Sequence, residues 1–255
     1  MSSMLNKKIA VITGAGRGIG KAFAFRFARE GVKLLLPDIN LQRVEATVSE
    51  IQSGGGEALA IETDISSEEA TKKMANIVIE RYGRIDILIN NAAMIYGISP
   101  RQWDMWTVEQ WNNMFAVNVI GTWLCCKAVA PIMIKQAKGK IINIASDVPK
   151  LPPSQLFLPY ACSKSAIWTL TQSLARSLGP SNINVNAIAP GRTATEASLL
   201  SENAVKDFEE TVAGQALKRR EEPSDLVGAA VFLASDDSDF ITGQIIAVNG
   251  GAVML

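Results

Sequence analysis

Tyr160 and Lys164 stand four residues apart in the stretch Pro159-Tyr160-Ala161-Cys162-Ser163-Lys164, and this pair offers chemistry. On a helix, side chains at i and i+4 are neighbours, and an ammonium beside a phenol favours the phenolate. A tyrosine can then serve as a base. The stretch reads as a helix because Pro159 suits a first turn, and Ala166, Ile167, Leu170, Leu174 and Leu178 keep apolar residues at helical spacing up to Gly179-Pro180. The chain has no histidine, which excludes a serine-histidine triad, a histidine-ligated metal and a histidine acid or base. Proton chemistry must use another group. Many helices carry a tyrosine and a lysine one turn apart to no effect, so the rest of the chain decides whether this pair matters.

The second candidate lies near the N-terminus. An apolar, β-branched run at 8–13 leads into Gly14-Ala15-Gly16-Arg17-Gly18-Ile19-Gly20, followed by an amphipathic segment ending at Gly31. Strand, glycine turn and helix in that order let the backbone approach a pyrophosphate, whose charge meets the N–H groups at the helix N-terminus. The pattern is TGxxxGxG, not the stricter GxGxxG. Asp38 follows the apolar run 32–36. A carboxylate about 20 residues beyond such a turn accepts both ribose hydroxyls of NAD and repels the 2′-phosphate of NADP. Arg17 pulls toward a phosphate, but an arginine beside a pyrophosphate has a use without one, so NAD is the expected cofactor.

These residues need a frame, and strands and helices alternate along the whole chain. Strands are expected at 58–63, 85–89, 139–145, 182–189 and 244–248, with helices at 41–51, 68–82, 108–135, 160–178 and 224–234. Such alternation, with strands apolar on both faces, implies an α/β fold with a parallel sheet covered on both sides. We expect one domain over 1–255. Its ligands gather at the C-terminal strand ends, where Gly14, Asp38, Asp64, Asn91 and Ser146 fall. A polar segment at 192–216 carries the stripe Leu199, Val205, Phe208 and Val212 and reads as an amphipathic substrate cover.

Composition bounds the function. With 25 basic and 25 acidic residues the chain has no electrostatic footprint for nucleic acid or an anionic membrane. No apolar run is expected to approach the roughly 18 residues of a membrane span, and residues 1–8 read as too short and too polar for a signal peptide, so a cytoplasmic location is expected. Cys125, Cys126 and Cys162 lack CxxC spacing and read as small buried hydrophobes.

The sequence resembles the short-chain dehydrogenase/reductase family from residue 8 to residue 251. The match rests on TGAGRGIG at 13–20, DI at 64–65, NNAA at 90–93, Asn118, Ser146, Tyr160-Ala161-Cys162-Ser163-Lys164, Pro190-Gly191 and Ile241-Thr242-Gly243. The resemblance implies a doubly wound, Rossmann-like domain with a seven-stranded parallel sheet, assembled as a homo-oligomer, a tetramer before a dimer. It implies a catalytic set of Asn118, Ser146, Tyr160 and Lys164. It also implies cofactor contacts from Gly14, Arg17, Gly18, Ile19, Asp38, Asp64, Ile65, Asn91, Tyr160, Lys164, Pro190, Gly191, Thr193 and Thr195. In this chain Ala93 replaces the usual glycine, and Ser146 precedes Tyr160 by fourteen residues where thirteen is common; Ser146 is preferred to Asp147 because it follows its strand directly.

The family mechanism would have Tyr160 take the hydroxyl proton of an alcohol while hydride passes to the nicotinamide. A phenol pKa of about 10 must fall by roughly 3 units for this, a difference of about 4 kcal/mol. Lys164 and the oxidised nicotinamide would supply it, Ser146 would orient the substrate oxygen, and Asn118 would retain a water leading from Lys164 to solvent. The expected substrate is a small alcohol or its ketone, without a metal. Met94, Tyr96, Val148, Leu156 and Phe157 are expected to border the pocket, with Leu199 and Phe208 as further candidates in the cover. That mainly apolar set favours an apolar or aromatic secondary alcohol. Residues 192–198 and 229–251 resemble the corresponding parts of 1-phenylethanol-type aromatic alcohol dehydrogenases within the family. Two other readings stand beside this one: a 3-oxoacyl thioester reductase, and a noncatalytic dinucleotide-binding sensor or scaffold.

Overall fold

The computed structural model describes residues 4–95, 99–150, 154–200 and 203–254. The chain begins with β1 (Ile9–Ile12), α1 (Gly18–Arg29), β2 (Lys33–Asp38), α2 (Leu41–Ser53), β3 (Ala58–Glu62), α3 (Glu68–Tyr82) and β4 (Ile87–Asn90). Next come α4 (Val108–Phe115), a π-helical segment at Ala116–Gly121, α5 (Thr122–Gln136) and β5 (Gly139–Ile144). The remainder is α6 (Leu158–Leu178), β6 (Ile183–Pro190), α7 (Glu196–Leu199), α8 (Ala204–Gly214), α9 (Pro223–Ala234) and β7 (Ile245–Val248).

The seven strands form one sheet in the order β3-β2-β1-β4-β5-β6-β7, and every neighbouring pair is parallel. The order reverses between β1 and β4, which opens a crevice at their C-terminal ends. Each strand sends alternate residues to opposite faces. Ala10, Ile12, Leu34 and Leu36 join Phe23, Phe27 and Val231 in one core, while Ile9, Val11 and Leu35 join Met74, Cys125 and Met133 in the other. This is the doubly wound α/β fold expected from the alternation of elements.

Two expectations change. The single helix expected at 108–135 is broken in its middle by the π-helical segment, which contains Asn118. The expectation that nothing here approaches a membrane span also fails: the helical stretch Val108–Gln136 is long and apolar enough by length and composition. Asn112, Asn113, Asn118 and Lys127 interrupt the run in sequence, and the helical stretch gathers the apolar residues between them. One side of it meets the sheet, with Cys125, Val129 and Met133 in the core, so the stretch serves as a core element of this fold.

Candidate active site

Tyr160 and Lys164 lie in the first two turns of α6, whose start carries Pro159 in the opening turn. Both are buried. The Lys164 Nζ stands 5.6 Å from the centre of the Tyr160 ring and donates to the Ile144 carbonyl at 2.7 Å. Ile144 ends β5, two residues before Ser146, so one lysine ties the tyrosine helix to the strand that carries the serine. Burial lowers the Lys164 pKa to about 8. Desolvation disfavours its charged form, and a neighbouring phenolate favours it. Ser146 is buried, and its Oγ accepts the Val148 N–H at 3.2 Å.

Asn118 is 1% exposed and spends its side chain on structure. Its Oδ1 accepts the Met94 N–H at 2.7 Å, and its Nδ2 donates to the Met94 carbonyl at 3.2 Å and to Ser163 Oγ at 3.0 Å. Ser163 in turn donates to the Tyr160 carbonyl at 2.8 Å. Asn118 therefore bolts the segment after β4 to the tyrosine helix, and both of its amide hydrogens are engaged. Its expected water-holding role would have to come from outside this amide. Ser163 was not singled out in the sequence, although its position three residues after Tyr160, facing back along the helix, was a usable signal.

The glycine turn lies across the ends of β1 and β4. Gly14 has φ +68°, and a Cβ there would meet the Ala92 Cα at 2.8 Å. Gly20 is tighter still, with its Cβ position 2.2 Å from the Gly14 carbonyl oxygen. Asn91 donates from Nδ2 to the carbonyls of Thr13 and Gly14, both at 3.0 Å, so its side chain shapes this turn. Asp38 accepts the Gly16 N–H at Oδ2 and the Asn40 N–H at Oδ1, both at 2.9 Å. Arg17 occupies the position before α1 without a side-chain capping bond, and Ile19 follows Gly18 in its first turn. A cation not singled out in the sequence, Arg43, brings its Cβ to 3.0 Å from the Cβ position of Gly16. Asp64 is exposed after β3, its Oδ1 accepting the Ser66 N–H at 2.9 Å, while Ile65 is buried against Gly121.

Glu196 supplies a fit test for the cofactor. Its Oε2 accepts the Gly18 N–H at 3.1 Å, so the turn at the start of α1 holds an anionic oxygen where a pyrophosphate would lie. The residues present fit a dinucleotide. Thr195, beside Gly18, caps α7, and the segment from Pro190 and Gly191 through Thr193 leads to it from the end of β6.

The expected pocket is only partly assembled. Met94 lines a small cavity of about 110 Å³ with Arg101, Trp106 and Met114. Leu156 reaches the same wall, its carbonyl accepting the Arg101 N–H at 3.0 Å, while Val148 and Phe157 are half-buried on the segment between Ser146 and α6. Arg101, 5.7 Å from the Trp106 ring centre, puts a cation into a wall read as apolar. Tyr96 lies outside the described residues. The cover at 192–216 holds the two helices α7 and α8, and its stripe fails: Leu199 and Val205 are exposed. Phe208 is buried between the guanidinium groups of Arg192 and Arg220, each 5.1 Å from its ring, and lines a separate cavity of about 430 Å³ with Val212 and Arg219 instead of the one that holds Met94.

The crevice, the glycine turn and the tyrosine-lysine helix together define a dinucleotide-binding oxidoreductase. A family model described as enoyl-(acyl carrier protein) reductase matches residues 14–253. The chain is 36% identical to the dehydrogenase subunit BbsD of Thauera aromatica, which acts on (2S)-[(R)-hydroxy(phenyl)methyl]succinyl-CoA, over 97% of each protein. It is 39% identical to galactitol 2-dehydrogenase of Agrobacterium fabrum, covering 97% of this chain and 98% of that one. Among solved structures, a provisionally named NAD(P)-dependent gluconate 5-dehydrogenase from Beutenbergia cavernae, with NADP at low occupancy, aligns with TM-score 0.90 at 32% identity over 99% of both chains. A 3-oxoacyl-[acyl-carrier protein] reductase from Brucella melitensis with bound NAD aligns with TM-score 0.88 at 32% identity over 99% of this chain and 94% of that one. The chain belongs to the short-chain dehydrogenase/reductase family, whose members are oxidoreductases that bind a nicotinamide dinucleotide.

Proposed function

We propose that this protein is an NAD-dependent dehydrogenase that interconverts a secondary alcohol and its ketone, with apolar or aromatic substrates preferred. The observation that carries the reading is the buried Lys164 ammonium beside the Tyr160 ring, held to Ile144 at the end of the strand that leads to Ser146. When bound, the dinucleotide would supply the hydride acceptor in the oxidative direction and the hydride donor in the reductive one. Tyr160 removes the hydroxyl proton, assisted by the charge of Lys164. Ser146 hydrogen-bonds the substrate oxygen and orients it. Asn118 and Ser163 hold the tyrosine helix in register with the wall that carries Met94, a positioning contribution that removes motion before the chemical step.

Asp38 supports NAD over NADP. Its carboxylate lies at the glycine turn, where a 2′-phosphate would meet like charge, and each of its oxygens keeps a lone pair beyond the bond it accepts. Met94, Val148, Leu156 and Phe157 support an apolar substrate. The phenyl-bearing substrate named for the Thauera aromatica relative is compatible with that preference. A panel of 1-phenylethanol-type alcohols, polyols and 3-oxoacyl thioesters, run with NAD and NADP at the nicotinamide absorbance, tests both choices. The greatest kcat/KM is expected for the aryl-alkyl alcohols with NAD. A maximum on polyols or thioesters refutes the substrate class, and absence of turnover on every substrate refutes the activity.

A further inference from the structure

Two buried carboxylates behind the end of β6 have no role in that mechanism. Glu221 is 7% exposed, and its Oε1 accepts the Thr193 hydroxyl at 2.6 Å while its Oε2 accepts the Gly191 N–H at 3.1 Å. Its own carbonyl accepts the Ala194 N–H at 2.7 Å. Gly191, Thr193 and Ala194 thus all bond to one residue that lies far along the chain, the Gly191 N–H being shared with the Val248 carbonyl at 3.3 Å. Contact is close: a Cβ on Gly191 would stand 3.0 Å from Glu221 Oε2. Asp147 braces the same turn from the other side, donating its N–H to the Pro190 carbonyl at 3.1 Å and accepting Asn249 Nδ2 at 3.1 Å.

The location of the turn gives this arrangement its meaning. It starts beside Ser146, since Asp147 holds Pro190, and it ends at Thr195, whose Cγ2 lies 3.2 Å from the Cβ position of Gly18. A dinucleotide reaching from the glycine turn to Tyr160 and Ser146 must run along 190–195.

We propose that Glu221 is a positioning residue for the dinucleotide: it holds the turn 190–195 in the shape that receives the nicotinamide half. The proposal rests on the dinucleotide reading given above. A carboxylate suits the role because both groups that reach it are donors, whereas a glutamine offers one acceptor atom and turns an NH2 toward the other donor. Burial pushes the Glu221 carboxyl up to about 7, and the charges of Asp147 and Asp225 push in the same direction. The charged groups around it are Asp147 after β5, Asp225 on α9, and Arg219 and Glu222 on its own segment. Protonation removes the negative charge that both donors meet and so weakens the Thr193 and Gly191 bonds. The turn then relaxes, and dinucleotide binding weakens below neutral pH.

Titration of NADH by nicotinamide fluorescence between about pH 6 and about pH 8 tests this with the unmodified chain, Glu221→Gln and Thr193→Val. The unmodified chain is expected to lose about fivefold in affinity from the upper to the lower pH. Glu221→Gln is expected to bind about fivefold more weakly at the upper pH and to show little further change, with the KM for alcohol at saturating dinucleotide unaltered. Lys164 is present in all three proteins, so the difference between profiles reports Glu221. Thr193→Val removes the same hydrogen bond and carries the comparison if Glu221→Gln does not fold. An unchanged affinity and pH profile in the folded variants overturns the proposal alone. Failure of the unmodified chain to bind either NADH or NADPH overturns the dinucleotide reading with it.

Discussion

Glu196 sets a carboxylate oxygen 3.1 Å from the amide nitrogen of Gly18, on the first residue of α1. The N-terminus of that helix carries partial positive charge and unsatisfied N–H groups, so a pyrophosphate and this side chain compete for one donor. Glu196→Gln removes the competing charge. Dinucleotide binding is expected to tighten about threefold, with most of the gain at low salt, where the repulsion it removes is least screened. Calorimetric titration with NADH at two ionic strengths measures it, and weaker binding in the variant would contradict the competition.

Tyr160→Phe deletes only the hydroxyl. The variant is expected to bind NADH within about twofold of the unmodified chain and to lose more than about a hundredfold in kcat, the usual scale for an acid-base group. Lys164→Ala is expected to damage both binding and rate. Near-normal turnover in Tyr160→Phe means that another group moves the proton.

At Asp38, loss of the carboxylate changes the cofactor choice. NAD is expected to be preferred because a 2′-phosphate brings about −1.5 to −2 charges against the carboxylate. Asp38→Ser is expected to narrow the ratio of kcat/KM for NAD over NADP by about tenfold, with Arg17 and Arg43 near enough to the turn to serve the phosphate. Equal efficiency with both dinucleotides in the unmodified chain would falsify the assignment.

Asp147 makes stability depend on pH. Its carboxyl is pushed up from 3.8 to about 6 by burial, with the Asn249 hydrogen bond opposing the shift. An acid whose folded pKa is raised contributes stability that is fully present below the unfolded pKa and is lost as pH rises to the folded one. The loss therefore falls between about pH 4 and about pH 6 and is constant above. Asp147→Asn escapes it and retains an oxygen to accept Asn249. Above about pH 6 the variant is expected to be more stable by on the order of 2 kcal/mol, with no gain at about pH 4. Urea denaturation across that range checks the slope; parallel curves for the two proteins refute the assignment.

Local order was legible in the sequence because it is written in local terms. The apolar runs at 8–13 and 85–89 became β1 and β4, and Pro159 with the leucines through Leu178 became α6, since strand and helix periodicities need no knowledge of distant residues. The absence of histidine, the Tyr160–Lys164 spacing and the order of motifs already confined the chemistry. Tertiary structure decided what depends on residues far apart in the chain. It paired Glu221 with Gly191 and Thr193, committed the Asn118 amide to Met94 and Ser163, and closed Arg192 and Arg220 around Phe208. No periodicity encodes such contacts. The stripe expected in the cover failed for the same reason: which face of a short helix is buried is set by the surface it meets, and here that surface accepts Phe208 and leaves Leu199 and Val205 to water.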